Sequence, residues 1–256
     1  MNALIVVTSV DTLAAGHPTG LWLEEYAVPY TALAEVGVAI TVASPRGGAA
    51  PIDPKTAPDD KAREKWGPAI EALAGTRRLT EVSEPDFDAL YIPGGHGPMV
   101  DLSHDADLAA LIEAFARAGK IVAAVCHGPV ALLVARAPDG APFVKGRRLT
   151  AFTNGEETLA GLHTVVPFLL ESRLREAGAL FEHALLPITG HVVHDGALIT
   201  GQNPASSLAM AKALVGALAE RQRAATAETP AGQASPGGAT QTDASASDSK
   251  DRAAGV

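Results

Sequence analysis

Cys126 is the one cysteine in a chain of 256 residues, and a histidine follows it directly. The pair ends the stretch Ile121-Val122-Ala123-Ala124-Val125-Cys126-His127-Gly128-Pro129. A thiolate is the nucleophilic form of cysteine, and a nearby imidazole can take the thiol proton. Five apolar residues before the pair predict a buried strand of a parallel sheet. Gly128 and Pro129 break that strand and open a helix, whose N-terminal amides favour negative charge on the sulfur. The sulfur is thereby expected at the carboxyl end of a central strand. Open α/β sheets place active sites there, and a nucleophile elbow presents its side chain at such a turn. A lone cysteine is by default a small buried hydrophobe, so its surroundings must decide.

Three other clusters could complete a site. Pro93-Gly94-Gly95-His96-Gly97 also follows a predicted strand. Its glycines allow close backbone approach, and one amide there, with the His127 amide, would form an oxyanion hole. Glu24 and Glu25 lie on a predicted helix, where Glu25 shares a face with Leu21, Val28 and Ala32. Glu25 is therefore the buried member of that pair, and burial favours its protonated form. Glu156 and Glu157 follow another strand, and either could orient His127 as the third member of a triad. His163, His183, His191 and His194 show no close metal-ligand spacing, so no metal and no cofactor are expected.

The elements that must position these residues alternate strand and helix. Strands are predicted at Ala3 to Val10, Val38 to Ser44, Asp88 to Ile92, Ile121 to Val125 and Arg147 to Phe152. Helices are predicted from Gly20 or Leu21, capped by Thr19 and bent or interrupted at Pro29, to Gly37; then over Lys61 to Ala74, Asp105 to Ala118, Val166 to Ala177 and Pro204 to Glu220. Residues 153–157 read as a turn. Asp195-Gly196 between His191-Val192-Val193-His194 and Ala197-Leu198-Ile199-Thr200 signals a β-hairpin. This pattern predicts an α/β fold with a mostly parallel sheet covered on both faces. Residues 1–222 form one domain. Residues 223–256, rich in Ala, Ser, Gly and Thr, are expected to be a disordered tail.

The formal net charge of −9 argues against a nucleic-acid partner. No apolar run reaches membrane-spanning length, and the start reads as a strand rather than a signal peptide. A single cysteine excludes an intrachain disulfide. These features fit a cytoplasmic protein.

The blocks Tyr91-Ile92-Pro93-Gly94-Gly95-His96-Gly97, Ala123-Ala124-Val125-Cys126-His127-Gly128-Pro129, Phe152-Thr153-Asn154-Gly155-Glu156-Glu157 and Thr200-Gly201-Gln202-Asn203-Pro204-Ala205-Ser206-Ser207 resemble the DJ-1/PfpI superfamily. Thr19-Gly20-Leu21-Trp22-Leu23-Glu24-Glu25 and Ala43-Ser44-Pro45-Arg46-Gly47-Gly48 narrow the likeness to its branch of heat-shock-type chaperones and glutathione-independent glyoxalases (glyoxalase III). The resemblance implies a class I glutamine amidotransferase-like domain, a flavodoxin-like three-layer sandwich, and a homodimer. It implies Cys126 as nucleophile, His127 as base, Glu25 as the acid at the elbow and, counting from Phe152-Thr153, Glu157 as the triad acid. Gly95 and His127 would supply oxyanion amides, with Gly94 and His96 beside the substrate. The implied substrate is a small dicarbonyl such as methylglyoxal, converted to lactate or released by a related deglycase reaction, with a possible stress-chaperone role. The competing expectations are a holding chaperone without essential catalysis, a PfpI-type cysteine peptidase or amidase, and a redox sensor. Glutaminase chemistry is not expected, because no downstream His-x-Glu is present.

Overall fold

The computed structural model describes residues 1–228. Its centre is a seven-stranded sheet made of β1 (Asn2–Val6), β2 (Ala39–Ser44), β3 (Arg77–Arg78), β4 (Ala89–Ile92), β5 (Ile121–Val125), β8 (Val192–Asp195) and β9 (Leu198–Gly201). The spatial order is β3-β2-β1-β4-β5-β9-β8. All neighbours are parallel except the last pair, the hairpin around Asp195-Gly196. Helices α1 (Leu23–Glu35), α2 (Asp60–Ala72), α3 (Ala106–Arg117), α4 (Asn154–Leu159), α5 (Leu170–Glu176) and α6 (Ser207–Glu228) complete the fold with short 3-10 turns. A separate two-stranded ribbon joins β6 (Arg148–Leu149) to β7 (Leu180–Phe181).

Successive strand residues point to opposite faces, so the continuous apolar strands build two cores. Ala3, Ile5, Tyr91, Ala123 and Val125 pack with Leu23, Tyr26 and Leu33 of α1 and Met210 and Leu214 of α6. Leu4, Leu90, Ile92, Val122 and Ala124 pack with Leu108, Ile112 and Phe115 of α3 and Leu170 and Leu174 of α5. This is the expected three-layer sandwich with a late hairpin.

Several local expectations differ. β1 stops at Val6 rather than Val10. Thr19 does not cap α1; the cap is Trp22, without a side-chain hydrogen bond, and the Thr19 hydroxyl donates to Asp53 instead. The strand expected over Arg147 to Phe152 shrinks to two residues outside the main sheet. The turn expected at 153–157 is the start of α4, because Thr153 and Glu156 form a capping box. The helix expected from Val166 begins only at Leu170. The last helix continues to Glu228, so residues 223–228 of the expected tail are helical; the rest of that tail lies outside the described residues.

Register sets the site. Ile92 pairs with Ala124 and Val125 with Gly201. The loops leaving β4, β5 and β9 therefore emerge side by side at one carboxyl edge. No helix among the described residues is long and apolar enough to cross a membrane.

Candidate active site

The strand β5 ends in a strained residue. Cys126 has φ of +59°, a region that costs a non-glycine residue roughly 1–3 kcal/mol. Hydrogen bonds on both sides hold it there: the Cys126 amide donates to the Gly201 carbonyl at 2.9 Å, and the Phe152 amide donates to the Cys126 carbonyl at 2.9 Å. The kink turns the chain into the 3-10 segment Gly128–Leu133. It also lets two consecutive side chains meet, which a regular strand forbids. His127 Nδ1 lies 3.3 Å from the Cys126 sulfur.

The other ring nitrogen of His127 points to α4. Nε2 is 2.7 Å from Glu157 Oε2. Burial pushes the Glu157 carboxyl up, but hydrogen bonds from His127 and His96 outweigh it and bring it down to about 2. Burial, and then the adjacent His96, lower the His127 imidazole to about 4. The pair at neutral pH is thus a carboxylate and a neutral imidazole. A carboxylate only accepts, so Nε2 carries the ring proton and donates it. Nδ1 is left as an unprotonated acceptor facing the thiol.

His96 reaches the same carboxylate from the β4 loop, with Nε2 2.8 Å from Glu157 Oε1. Its ring lies 4.0 Å from that of His127, and Phe152 lies 4.6 Å from His127 and 6.1 Å from His96, centroid to centroid. The three rings pack together and hold the imidazole of His127. Glu156, one residue before Glu157, faces elsewhere. Its Oε1 accepts from Asn203 Nδ2 at 2.6 Å, Gln202 Nε2 at 3.0 Å and the Ile188 amide at 3.1 Å. Its Oε2 closes the capping box with Thr153. Glu156 ties the first turn of α4 to the loop after β9, while Glu157 meets the imidazoles.

Glu25 approaches the sulfur from α1 and is fully buried. Its Oε2 accepts from the Gly94 amide at 3.1 Å, and the carboxyl lies in hydrogen-bonding reach of the Cys126 thiol. Burial pushes Glu25 up to about 8, so it is a proton donor at neutral pH. Burial also raises the Cys126 thiol, and an ionised Glu25 would raise it further. A protonated Glu25 instead donates to the sulfur and favours the thiolate. The helix is adapted to hold Glu25. Pro29 has no N–H for the carbonyl four residues back, and that carbonyl, on Glu25, accepts from the buried Tyr91 hydroxyl at 2.6 Å.

Cys126, His127, Glu157 and Glu25 thus come together. Of the residues expected around an oxyanion, Gly95 turns its amide to the Cys126 sulfur, whereas the Gly94 amide is engaged by Glu25 and His96 Nε2 by Glu157. Gly95 has φ of +94°, and a Cβ there would meet the Gly20 carbonyl oxygen at 2.3 Å. At Gly94 a Cβ would sit 2.6 Å from Glu25 Oε2 and 2.7 Å from Cys126 Cβ. Gly94→Ala is expected to destabilise the fold by about 1–3 kcal/mol and to displace Glu25, measured by urea unfolding alongside thiol reactivity. In the sequence Asn203 reads only as the cap of the last helix, and Tyr91, Phe152, Gln202 and the pairing of His96 with Glu157 carry no assignment there. The hydrophilic Gln202-Asn203 directly after a buried strand was the available signal.

The model of the DJ-1/PfpI family matches residues 19–217. The glutathione-independent glyoxalase hsp3101 of Schizosaccharomyces pombe is 30% identical over 218 residues, covering 78% of this chain and 88% of the relative. The structure of the Francisella tularensis Rapid Encystment Protein 24 kDa superposes with a TM-score of 0.80 at 33% identity, covering 85% of this chain and 98% of that one. That of glyoxalase III from Candida albicans superposes with a TM-score of 0.77 at 24% identity, covering 85% and 97%.

Proposed function

Because the chain belongs to the DJ-1/PfpI family, we propose that it is a cysteine-dependent glyoxalase that converts a small 2-oxoaldehyde such as methylglyoxal to the 2-hydroxy acid without glutathione, working as a cytoplasmic homodimer. The observation that carries this reading is the continuous relay from Glu157 through the Nε2-protonated His127 to the sulfur. Relatives named as glutathione-independent glyoxalases support it.

His127 Nδ1 takes the thiol proton as Cys126 Sγ attacks the aldehyde carbon, C1. The product is a hemithioacetal, whose oxygen the Gly95 and His127 amides would hold. A base then removes the proton from C1, the C2 carbonyl oxygen gains a proton, and an enediol forms. Reprotonation at C2 gives the 2-hydroxy thioester. Water adds to the thioester carbonyl, the C–S bond breaks, and lactate leaves with the thiol restored. Hydrogen, oxygen and electrons balance with one water consumed, so no external oxidant is needed. Glu157 stabilises the imidazolium formed on the way, and Glu25 donates to the sulfur whenever it is anionic.

The burial of Cys126, at 4% exposure, favours a small carbonyl compound over an extended peptide. The reading is tested by incubating the purified chain with methylglyoxal in thiol-free buffer. The expected product is lactate, formed at a rate that added glutathione does not raise.

A pH profile follows from the same groups. Activity is expected to fall below about pH 4, as His127 is protonated and loses its acceptor nitrogen. It is expected to fall again above about pH 8, as Glu25 ionises and competes for the thiol proton. Glu25→Gln keeps a donor and should remove the alkaline limb. Stability carries the same signature. Between pH 4.5 and about 8 the folded state retains a proton on Glu25 that the unfolded chain has lost, which lowers stability as pH rises; up to 6.5 the depressed His127 offsets this, so the net fall lies between 6.5 and about 8. Glu25→Gln abolishes that fall in denaturant titrations.

A holding chaperone is the second reading, and one observation favours it. Leu185, Leu186 and Ile188 are 97%, 70% and 69% exposed in one short loop, a contiguous apolar surface of the kind that engages other proteins. Suppression of client aggregation that persists in Cys126→Ala would support this role beside the enzymatic one.

A further inference from the structure

We propose that His96, His127 and Glu157 form a zinc-binding site that switches the catalytic relay off. Their ligand atoms lie within 4.8 Å of one another, and all three side chains are buried. The donors are two imidazole nitrogens and a carboxylate, the borderline set that suits zinc, with room in its coordination number for one water. Both Nε2 atoms already converge on the two oxygens of Glu157, at 2.8 and 2.7 Å. A tetrahedral ion about 2.1 Å from each donor sets its donors about 3.4 Å apart, so these contacts must open by roughly 0.6–0.7 Å. The ligands come from the β4 loop, the elbow and α4, which are distant in sequence, so no short motif marks the site.

The consequence for chemistry rests on the glyoxalase reading. Zinc takes the lone pair of His127 at Nε2, so the single ring proton moves to Nδ1. Nδ1 then donates to the Cys126 sulfur and cannot accept the thiol proton or carry one between C1 and C2. His96 likewise exchanges its contact with Glu157 for the metal. Metal binding therefore blocks the base while leaving the fold and the sulfur in place.

The test is direct binding of zinc chloride to tag-free protein, in competition with a chelating dye, together with lactate formation. Wild type and Cys126→Ala should each bind one zinc per chain with the same affinity. His96→Asn should weaken binding about tenfold or more, and circular dichroism of that variant checks its fold. Zinc should stop lactate formation by wild type, and EDTA should restore it. Absence of binding, unchanged binding in His96→Asn, or loss of binding in Cys126→Ala would each overturn the proposal; the last would assign the metal to the thiolate. Wild type that makes no lactate would remove the glyoxalase reading but leave the binding experiment decisive for the zinc site.

Discussion

Cys126→Ala is expected to lose lactate formation from methylglyoxal, with kcat/KM falling by on the order of 10⁴ or more. The chain has no other thiol, so the covalent route has no substitute. What remains, the amides at Gly95 and His127 and the carboxyl of Glu25, can bind a carbonyl but cannot form the thioester on which the proposed isomerisation depends. The substitution is also mild for the fold. Alanine removes one sulfur from a residue packed beside Tyr91 and Val125, and the positive φ at position 126 remains equally strained for alanine. Thermal unfolding should therefore move little while activity disappears. A variant that is both inactive and unfolded would not distinguish the roles, and Cys126→Ser, which keeps the volume, serves as the second check.

Glu157→Gln is expected to cost on the order of 10³–10⁴ in kcat, with KM nearly unchanged. The carboxylate accepts from two imidazoles at once. An amide can accept from one of them and must present N–H to the other. Where that N–H faces His127, Nε2 has to become the acceptor, and the ring proton moves to Nδ1, pointing at the sulfur. The base is then in the wrong tautomer although every heavy atom stays in place. Glu156→Gln should be much milder in kcat, because Glu156 touches no imidazole, and should act mainly on stability through Gln202, Asn203 and the Ile188 amide. Steady-state kinetics on the two variants, side by side, separates the triad acid from its neighbour.

The comparison between these adjacent glutamates also shows what was legible in the sequence. The elbow was legible because a five-residue apolar run ending in Cys-His-Gly-Pro has few other readings. The hairpin was legible from Asp195-Gly196, and so was the burial of Glu25 rather than Glu24; the rest of that face was not, because α1 starts at Leu23, Val28 and Ala32 are only half-buried, and Tyr26, Pro29 and Leu33 turn inward. The capping box Thr153-Asn154-Gly155-Glu156 was present too, but Asn154 and Gly155 carry the stronger turn signal, so a helix start read as a turn. That box gives Glu156 its structural task and aims Glu157, one position on, at the histidines. The shared carboxylate of His96 and His127 was not legible, because it arises from the register of β4 against β5 and from a helix whose preceding strand left the main sheet. Pro29 illustrates the same limit. In sequence it marks a bend; in the fold it frees the carbonyl that Tyr91 takes, and helix α1 runs on. Local signals located the residues, and tertiary contacts decided which atoms of those residues are available for chemistry.

The glyoxalase reading is tested most directly by the fate of methylglyoxal mixed with the purified protein in buffer free of any thiol, followed by carbon NMR. The substrate carbon is expected to appear as lactate, one molecule per molecule consumed, over many turnovers of each chain. Disappearance of methylglyoxal without lactate, or no turnover at all from the folded wild-type protein, would contradict it.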